Sequence, residues 1–426
     1  MKLFLRTLAY LAALGLLASL SLAPRFELPT AKEAQLASAS VDPMPVTAFC
    51  PGPLAEVGGE QGTDLGEISS VGKATFNLWS TDAEVSEDGG LFARVDTAEQ
   101  STKVLSVNQT QAVNRPRLAG LAATYCPMPG ASGYFVSGDS GPGSETVLHL
   151  ANPNDVDLMV DLELSLEDGI ETDRVSLAAK EQKMISLVGL SGADSKYVVR
   201  YQTSGLPVAA FLQHREVSGL SATGVALVAP TKPVLEGAIS GLVVAENAIR
   251  GPILRAFNPG LEDVELSLQA IAGGEFELIQ IRVPAGVLVE QELKLSAGSN
   301  LVSFEAAGEV LVAIRNDVIS PKVDFSWLIP SQLFERDLYL AAPGSSQLLL
   351  GNPTLEPVTV VVVGEQSAAV TIPARSQVAV PLERGPLRVQ GTGFLAAVEI
   401  LSRAGYGVIQ PTEMRNLGER IEVSVR

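Results

Sequence analysis

Few residues of this chain have the type and spacing that catalysis needs. Ser140 lies in the string GDSGP (138–142), which is typical of the nucleophile loop in one class of serine proteases. That mechanism needs a histidine base earlier in the chain, but the first histidine, His149, comes after Ser140. Ser70 and Lys73 have the Ser-x-x-Lys spacing of penicillin-interacting enzymes, yet the companion Ser-Asp-Asn and Lys-Thr-Gly strings are missing. We therefore predict no catalytic residue and no enzyme activity.

Acidic residues are numerous, but their spacing favours a solvated surface. Asp161 and Glu163 alternate with apolar residues, which places both on the wet face of a strand, whereas glycosidases need two acids across a cleft. Asn154, Asp155 and Asp157 offer oxygen ligands for Ca²⁺, but no glycine-spaced ligand loop follows them. The sequence therefore predicts no metal ion and no cofactor.

Histidine and tryptophan are too scarce for most other chemistry. His149 and His214 have no second histidine or cysteine nearby, so a zinc site is not expected. Trp79 and Trp327 could stack on sugars, although two tryptophans in 426 residues are few for a lectin, and Trp327 (in FSWLI) is predicted to be core. The net charge of −18 argues against nucleic acid, whose phosphates need clustered Lys and Arg.

The first 23 residues carry an export signal. Lys2 and Arg6 precede an apolar run over 7–23, as in both signal peptides and signal anchors. The small residues at 21–23 fit a cleavage site, but Pro24 follows at once. This favours an uncleaved, membrane-spanning anchor over a cleaved signal peptide. Residues 24–45, rich in Ala, Ser and Pro, are predicted to be a stalk or linker.

The two cysteines fit an oxidising location outside the membrane. Cys50 and Cys126 each open a Cys-Pro-x-Pro string. We predict a Cys50–Cys126 disulfide; two independent buried thiols are the alternative.

The rest of the chain reads as a β-rich repeat of about a hundred residues. Asn-Pro pairs at Asn152, Asn258 and Asn352 each follow one strand-like run and precede another. Each repeat offers about seven short strands, the count of an immunoglobulin-like sandwich; propeller blades usually repeat at about 40–50 residues. We predict an all-β fold of tandem immunoglobulin-like sandwiches over 128–235, 236–335 and 336–426, the last ending in a C-terminal strand. They follow an N-terminal β region over 46–127.

These features together resemble a known group of proteins. The CPGP string (50–53), the second cysteine before GYFVSG (133–138) and strand ends of the Leu-x-Asn-Pro type resemble an actinobacterial domain-of-unknown-function family of large secreted or membrane-anchored proteins. The resemblance implies an envelope location and supplies no catalytic residues.

We expect a non-catalytic, extracytoplasmic scaffold on the cell membrane, held there by the N-terminal helix, or a secreted form of it. Its expected partners are an envelope protein or a glycan, and no nucleic acid. The alternative is a polysaccharide- or peptidoglycan-binding, adhesin-like protein. An exported hydrolase would require a serine and a histidine, or two buried acids, to meet in one cleft.

Overall fold

The computed structural model describes residues 37–41, 45–58, 64–80, 82–95, 104–192, 195–246, 248, 250–272, 275–414 and 421–425. In these residues the chain is nearly all β, and the single helix, α1 (Val188–Ser191), has four residues. The prediction of an all-β fold is confirmed. The predicted anchor at 1–23 lies outside the described residues, and no helix within them is long and apolar enough to cross a membrane.

The chain divides into two compact parts, Met1–Pro43 with Glu419–Arg426 and Met44–Gly418. The first contains strands β1 (Ala37–Val41) and β33 (Ile421–Val425), which pair antiparallel. A strand therefore lies inside the range that the sequence predicted to be a linker. All features described below belong to the second part.

The N-terminal region consists of three small antiparallel sheets. Its strands are β2 (Val46–Cys50), β3 (Leu54–Gly58), β4 (Asp64–Val71), β5 (Thr75–Ser80), β6 (Glu84–Asp88), β7 (Gly90–Val95), β8 (Leu105–Asn114) and β9 (Ala119–Tyr125). The sheets have the strand orders β2-β7-β6, β3-β4 and β5-β8-β9.

Three repeats follow, each built from two antiparallel sheets. The first repeat contains β10 (Ser132–Asp139), β11 (Ser144–Ala151), β12 (Leu158–Leu166), β13 (Gly169–Leu177), β14 (Gln182–Ser186), β15 (Lys196–Thr203), β16 (Ala209–Ser218) and β17 (Ser221–Val228). The second contains β18 (Val234–Val244), β19 (Ile253–Phe257), β20 (Val264–Ala272), β21 (Glu275–Val283), β22 (Leu288–Glu292), β23 (Gly298–Val318) and β24 (Asp324–Leu328). The third contains β25 (Leu338–Ala342), β26 (Ser346–Asn352), β27 (Val358–Val363), β28 (Ser367–Ile372), β29 (Ser376–Leu382), β30 (Gly385–Gln390), β31 (Leu395–Ser402) and β32 (Gly405–Ile409).

All three repeats have the same strand order. The first repeat has the sheets β10-β15-β12-β13 and β14-β11-β16-β17, and the third has β25-β30-β27-β28 and β29-β26-β31-β32. In the second repeat the 21-residue strand β23 serves both sheets, pairing with β18 and β20 through its first half and with β19 and β24 through its second. Within the described residues each repeat thus has eight strand positions, one more than the sequence suggested.

The three asparagines occupy equivalent places in these repeats. Asn152, Asn258 and Asn352 are fully buried, and each side-chain amide donates to the carbonyl four residues later, at 2.9, 2.7 and 2.8 Å. Each also donates to the carbonyl that ends the fourth strand of its repeat and accepts the backbone N–H two residues later. The side chain closes the same corner each time, which explains why Asn recurs before Pro.

The two sheets of a repeat differ in what covers their outer faces. Strand β12 has the predicted alternation, with Leu158, Val160 and Leu162 buried and Asp161 exposed. Strand β11, in the second sheet, is buried on both faces from Val147 to Ala151. The expected solvent-facing side is therefore present on β12, whereas the second face of β11 is covered by a neighbouring element.

That packing continues from one repeat to the next. Apolar residues on the second sheet of the second repeat enter the core of the first repeat, those of the third enter the core of the second, and those of β9 enter the core of the third. The buried residues concerned are Phe257, Leu311, Ala313, Phe325, Trp327; Leu349, Ala397, Tyr406, Val408; and Leu121, Ala123, Tyr125. The N-terminal region also packs on β17, so β9, β17, β24 and β32 contact one another in a closed ring.

Candidate functional site

The ring of four strands meets at one carboxylate. Asp324, the first residue of β24, is fully buried. Its Oδ2 accepts the N–H of Leu121 at 2.7 Å and that of Tyr406 at 2.9 Å, while its Oδ1 accepts those of Val225 and Phe325, both at 3.0 Å. One side chain is therefore bonded to β9, β17, β24 and β32.

Glycine makes this approach feasible. Gly120, Gly224 and Gly405 directly precede the three donors on the other strands, with φ of 142°, 151° and 149°. A Cβ at these positions would lie 2.6, 2.7 and 2.1 Å from a carboxylate oxygen of Asp324. Only glycine has the backbone freedom and the small size for this arrangement. On β24 the residue before the donor is Asp324 itself, whereas on the other three strands it is glycine. Three glycines therefore surround one acid.

The electrostatics of Asp324 reflect two opposing effects. Burial raises the pKa of Asp324 to about 7, while the four backbone N–H groups act in the opposite direction. A carboxylate has about four lone-pair sites, and here four N–H groups occupy them. The side chain therefore has no free acceptor site for a substrate proton, and its geometry suits it to holding strands together.

A serine and a histidine do meet, at the boundary between the first two repeats. Ser144 Oγ lies 2.7 Å from His214 Nε2, and Trp327 Nε1 lies 3.0 Å from His214 Nδ1. Indole N–H can only donate, so Nδ1 must be the unprotonated acceptor and Nε2 must carry the proton. Nε2–H then donates to Ser144, which is the opposite of what a general base requires.

The surroundings of His214 keep it neutral. The ring is fully buried, and the pKa of His214 is well below its usual value because of burial and the positive charges of Arg315 and Arg255. Glu216 approaches Nε2, at 3.7 Å, which is the same ring nitrogen that contacts Ser144. The orienting acid of a catalytic triad bonds to the other ring nitrogen, so Glu216 does not have that role.

Two buried arginines join the first and second repeats. Arg315 binds Glu216 through both terminal nitrogens and also binds Asp317 at 2.8 Å. Arg255 binds Glu290 at 2.9 Å and Asp139 at 3.2 Å. Their guanidinium groups also lie over aromatic rings of β24, 4.1 Å from the Phe325 centroid for Arg315 and 4.8 Å from the Trp327 centroid for Arg255. The bidentate Arg315–Glu216 pair and the bonds from Arg255 to Asp139 and to the carbonyls of Val136 and Gly138 fix one relative position of the two repeats.

The serines singled out by motif lie apart from the histidines. Ser140 is buried, and its hydroxyl lies 2.8 Å from Ser191 Oγ and 3.0 Å from Tyr197 OH. Ser70 lies on strand β4 and not on a helix, so Lys73 is not one helical turn away. His149 is buried beside Gln213, with its pKa lowered to about 4 by burial. The structure brings none of these groups together.

The acidic candidates are paired or bonded to backbone. Asp161 binds Arg174 at 2.6 Å and Glu163 lies 3.6 Å from Arg200; these four residues line a polar cleft of about 550 Å³ on the first sheet of the first repeat. Of the residues considered as Ca²⁺ ligands, Asp155 binds Lys180 and Asp157 accepts the N–H of Ala179. Across the described residues no group of three or more His, Cys, Asp or Glu could hold a metal ion.

The remaining predictions concern tryptophan and cysteine. Trp327 is 4% exposed, so its assignment to the core is confirmed. Trp79 is half-buried and packs edge-on against Tyr339 of the third repeat. Cys50 and Cys126 form the predicted disulfide, with a Cα–Cα distance of 4.8 Å, and it ties the end of β2 to the residue after β9.

Sequence reasoning missed Asp324, the His214–Trp327 pair and both buried arginines. The signal for Asp324 was present as Gly224-Val225, Asp324-Phe325 and Gly405-Tyr406, each a small or acidic residue directly before an apolar one on the last strand of its repeat. Their convergence depends on how the repeats pack, which no single repeat encodes.

Comparison with known proteins identifies the family but no activity. Comparison with curated proteins gives no match for this chain. The profile of a family of unknown function, DUF5719, matches residues 81–383, which cover the first two repeats and the third as far as β29. Because this match spans well over half of the 426 residues, the chain belongs to the DUF5719 family of unknown function.

Proposed function

We propose that this protein is a non-catalytic scaffold of the cell envelope, which presents the surfaces of its β repeats to a protein or envelope partner. The observation that carries the proposal is that the buried polar groups bond to one another and to backbone across the boundaries between repeats. Asp324, Arg255, Arg315 and His214 are all engaged in bonds between repeats. Groups that enzymes keep available for substrates are here committed to holding the repeats together.

The proposed scaffold is a compact platform rather than an extended spacer. Asp324 bonds to the N-terminal region and to all three repeats. The repeats therefore cannot move independently of one another without breaking buried hydrogen bonds. A rigid body of this kind suits the presentation of several surfaces in a fixed arrangement.

We further propose that each repeat belongs to the broad immunoglobulin-like class of sandwiches. Two antiparallel sheets around one apolar core support this assignment. The strand positions follow the orders 1-6-3-4 and 5-2-7-8, whereas immunoglobulin constant domains have A-B-E-D and C-F-G. The proposed likeness concerns architecture and does not extend to connectivity.

The proposed location is the outer side of a membrane, with the apolar run at 7–23 as the anchor; secretion after cleavage is the alternative. The Cys50–Cys126 disulfide supports a compartment outside the cytosol, because disulfides persist in oxidising surroundings. The resemblance to exported actinobacterial proteins is a second reason for this proposal.

Crosslinking and pull-down of the full chain from its own membranes tests the scaffold function. We expect recovery of one stoichiometric protein partner, and a variant with Asp324→Asn should recover less of it because its repeats are loosened. Recovery of no partner from wild type would contradict the proposal.

A second candidate function, glycan or peptidoglycan binding, is favoured by the polar cleft on the first repeat. Its two carboxylates and two arginines could bond to sugar hydroxyls. Retention on a glycan array or on isolated cell wall, weakened by Arg200→Ala and unaffected by a surface change such as Lys232→Ala, would support it. Absence of retention on both would remove it.

A further inference from the structure

The connection between the fifth and sixth strand positions differs among the three repeats. Backbone pairing makes Leu187, Leu293 and Leu382 equivalent, since each pairs with the residue six places before its repeat's asparagine. These partners are Thr146, Pro252 and Ser346. All three leucines are buried, with exposed fractions of 0, 1 and 8%. Each repeat therefore starts this connection with the same apolar contact.

The first two repeats then add a second leucine. In the first repeat the chain forms α1, and Leu190 packs against the core. In the second repeat the residues 294–297 follow, and Leu295 packs against the core. In the third repeat only Glu383 and Arg384 separate β29 from β30.

A cavity of about 570 Å³ lies at this point of the third repeat. Val362 and Leu387 of one sheet and Val380 and Leu382 of the other contribute to its apolar lining, and Arg384 stands among its polar residues. Its volume is within the range of sites that hold small ligands or parts of larger ones. The third repeat thus has an open space with a partly apolar lining, in the connection where its two sister repeats hold a second leucine.

We propose that this cavity binds a peptide segment of a partner protein that presents a leucine-sized aliphatic side chain. The inference rests on the proposed scaffold function and assigns it a site. The sister repeats indicate the chemistry of the occupant, because in them Leu190 and Leu295 pack against the core from the equivalent connection. The charged residues of the lining are Glu365, Glu383 and Arg384, so two negative charges against one positive do not favour an anionic lipid head group.

The neighbouring strand supplies a backbone surface for such a peptide. Among the described residues β28 pairs only with β27, so its other edge is open. Ala368 and Ala369 on β28 are exposed and small, which leaves the backbone accessible. An extended peptide can add to an open edge and place alternate side chains in a pocket beside it.

Calorimetric titration of the full chain with a synthetic peptide of residues 187–195 tests the proposal, because Leu190 in this sequence packs against the core from the equivalent connection of the first repeat. We expect saturable binding, weakened about tenfold or more when the peptide carries Leu190→Asp, as expected for loss of one buried leucine. Two variants should weaken it similarly: Ala368→Trp, which fills the cavity from an exposed position, and replacement of Glu383 and Arg384 by Lys-Leu-Ser-Ala, the sequence of 294–297. Far-ultraviolet circular dichroism checks that both variants are folded.

Three outcomes would overturn the proposal. They are no saturable binding of the peptide by wild type, binding by both variants as tight as by wild type, or binding of the fatty acid dodecanoate and not of the peptide. Pull-down separates this failure from failure of the scaffold function. If the Lys-Leu-Ser-Ala variant recovers the membrane partner as well as wild type does, the site is wrong and the scaffold remains. If wild type recovers no partner, the scaffold function itself fails.

Discussion

Replacing Asp324 by asparagine changes the centre of the protein without changing its volume. The carboxylate accepts four backbone N–H groups, whereas an amide oxygen accepts two and its NH₂ faces the other two donors. Two hydrogen bonds to a charged acceptor are lost, at about 1.5–3 kcal/mol each, and relief from burying a charge offsets part of this. We expect the free energy of unfolding to fall by about 2–4 kcal/mol at pH 8, where the carboxylate is ionised.

Urea unfolding followed by tryptophan fluorescence measures this change. Trp327 lies on the same strand as Asp324 and is buried, so its emission reports on the centre of the protein. Asp161→Asn is the matched control: Asp161 is exposed and pairs with Arg174 at the surface, so its loss should change stability by less than about 1 kcal/mol. An Asp324→Asn protein as stable as the control would refute the reasoning.

Three further predictions concern other buried groups. Burial raises the pKa of Glu399 to about 7, above the value of an unfolded glutamate, so stability should fall as the pH rises from about 4 to 7. Glu399→Gln should therefore add about 2–3 kcal/mol to the free energy of unfolding at pH 8 and little at pH 4; a pH-independent effect would contradict this cause. Removing the Cys50–Cys126 disulfide with serines, which opens a separation of 76 residues, should cost about 4–5 kcal/mol in urea unfolding, and an unchanged midpoint would count against it. Nitrogen NMR should show His214 protonated at Nε2 in wild type because Trp327 donates to Nδ1; protonation at Nδ1 would restore the serine–histidine pair as a candidate for catalysis.

Local patterns predicted much of the fold because they depend on neighbours in sequence. The alternation in β12 follows from one face meeting the core, and Asn152 recurs as Asn258 and Asn352 because one side chain closes the same corner each time. The sequence could not show that β11 is buried on both faces, because its second face is covered by β3 and β4 of the N-terminal region, far away in the chain.

The candidate site was less predictable for a related reason. Ser144 and His214 stand 70 residues apart, and Trp327 comes a further 113 residues later. Ser144 and His214 meet through the antiparallel pairing of β11 with β16, and Trp327 reaches His214 only because the second repeat packs on the first. Motif spacing reveals neither contact. The disulfide was predictable because two cysteines with similar flanks leave a single pairing.

Amide hydrogen exchange at the four donors to Asp324 tests the central interpretation most directly. If one carboxylate joins the N-terminal region and the three repeats, the N–H groups of Leu121, Val225, Phe325 and Tyr406 should exchange together, at the rate of global unfolding, and all four should lose protection in Asp324→Asn. Four unrelated exchange rates in wild type, or protection unchanged in the variant, would contradict it.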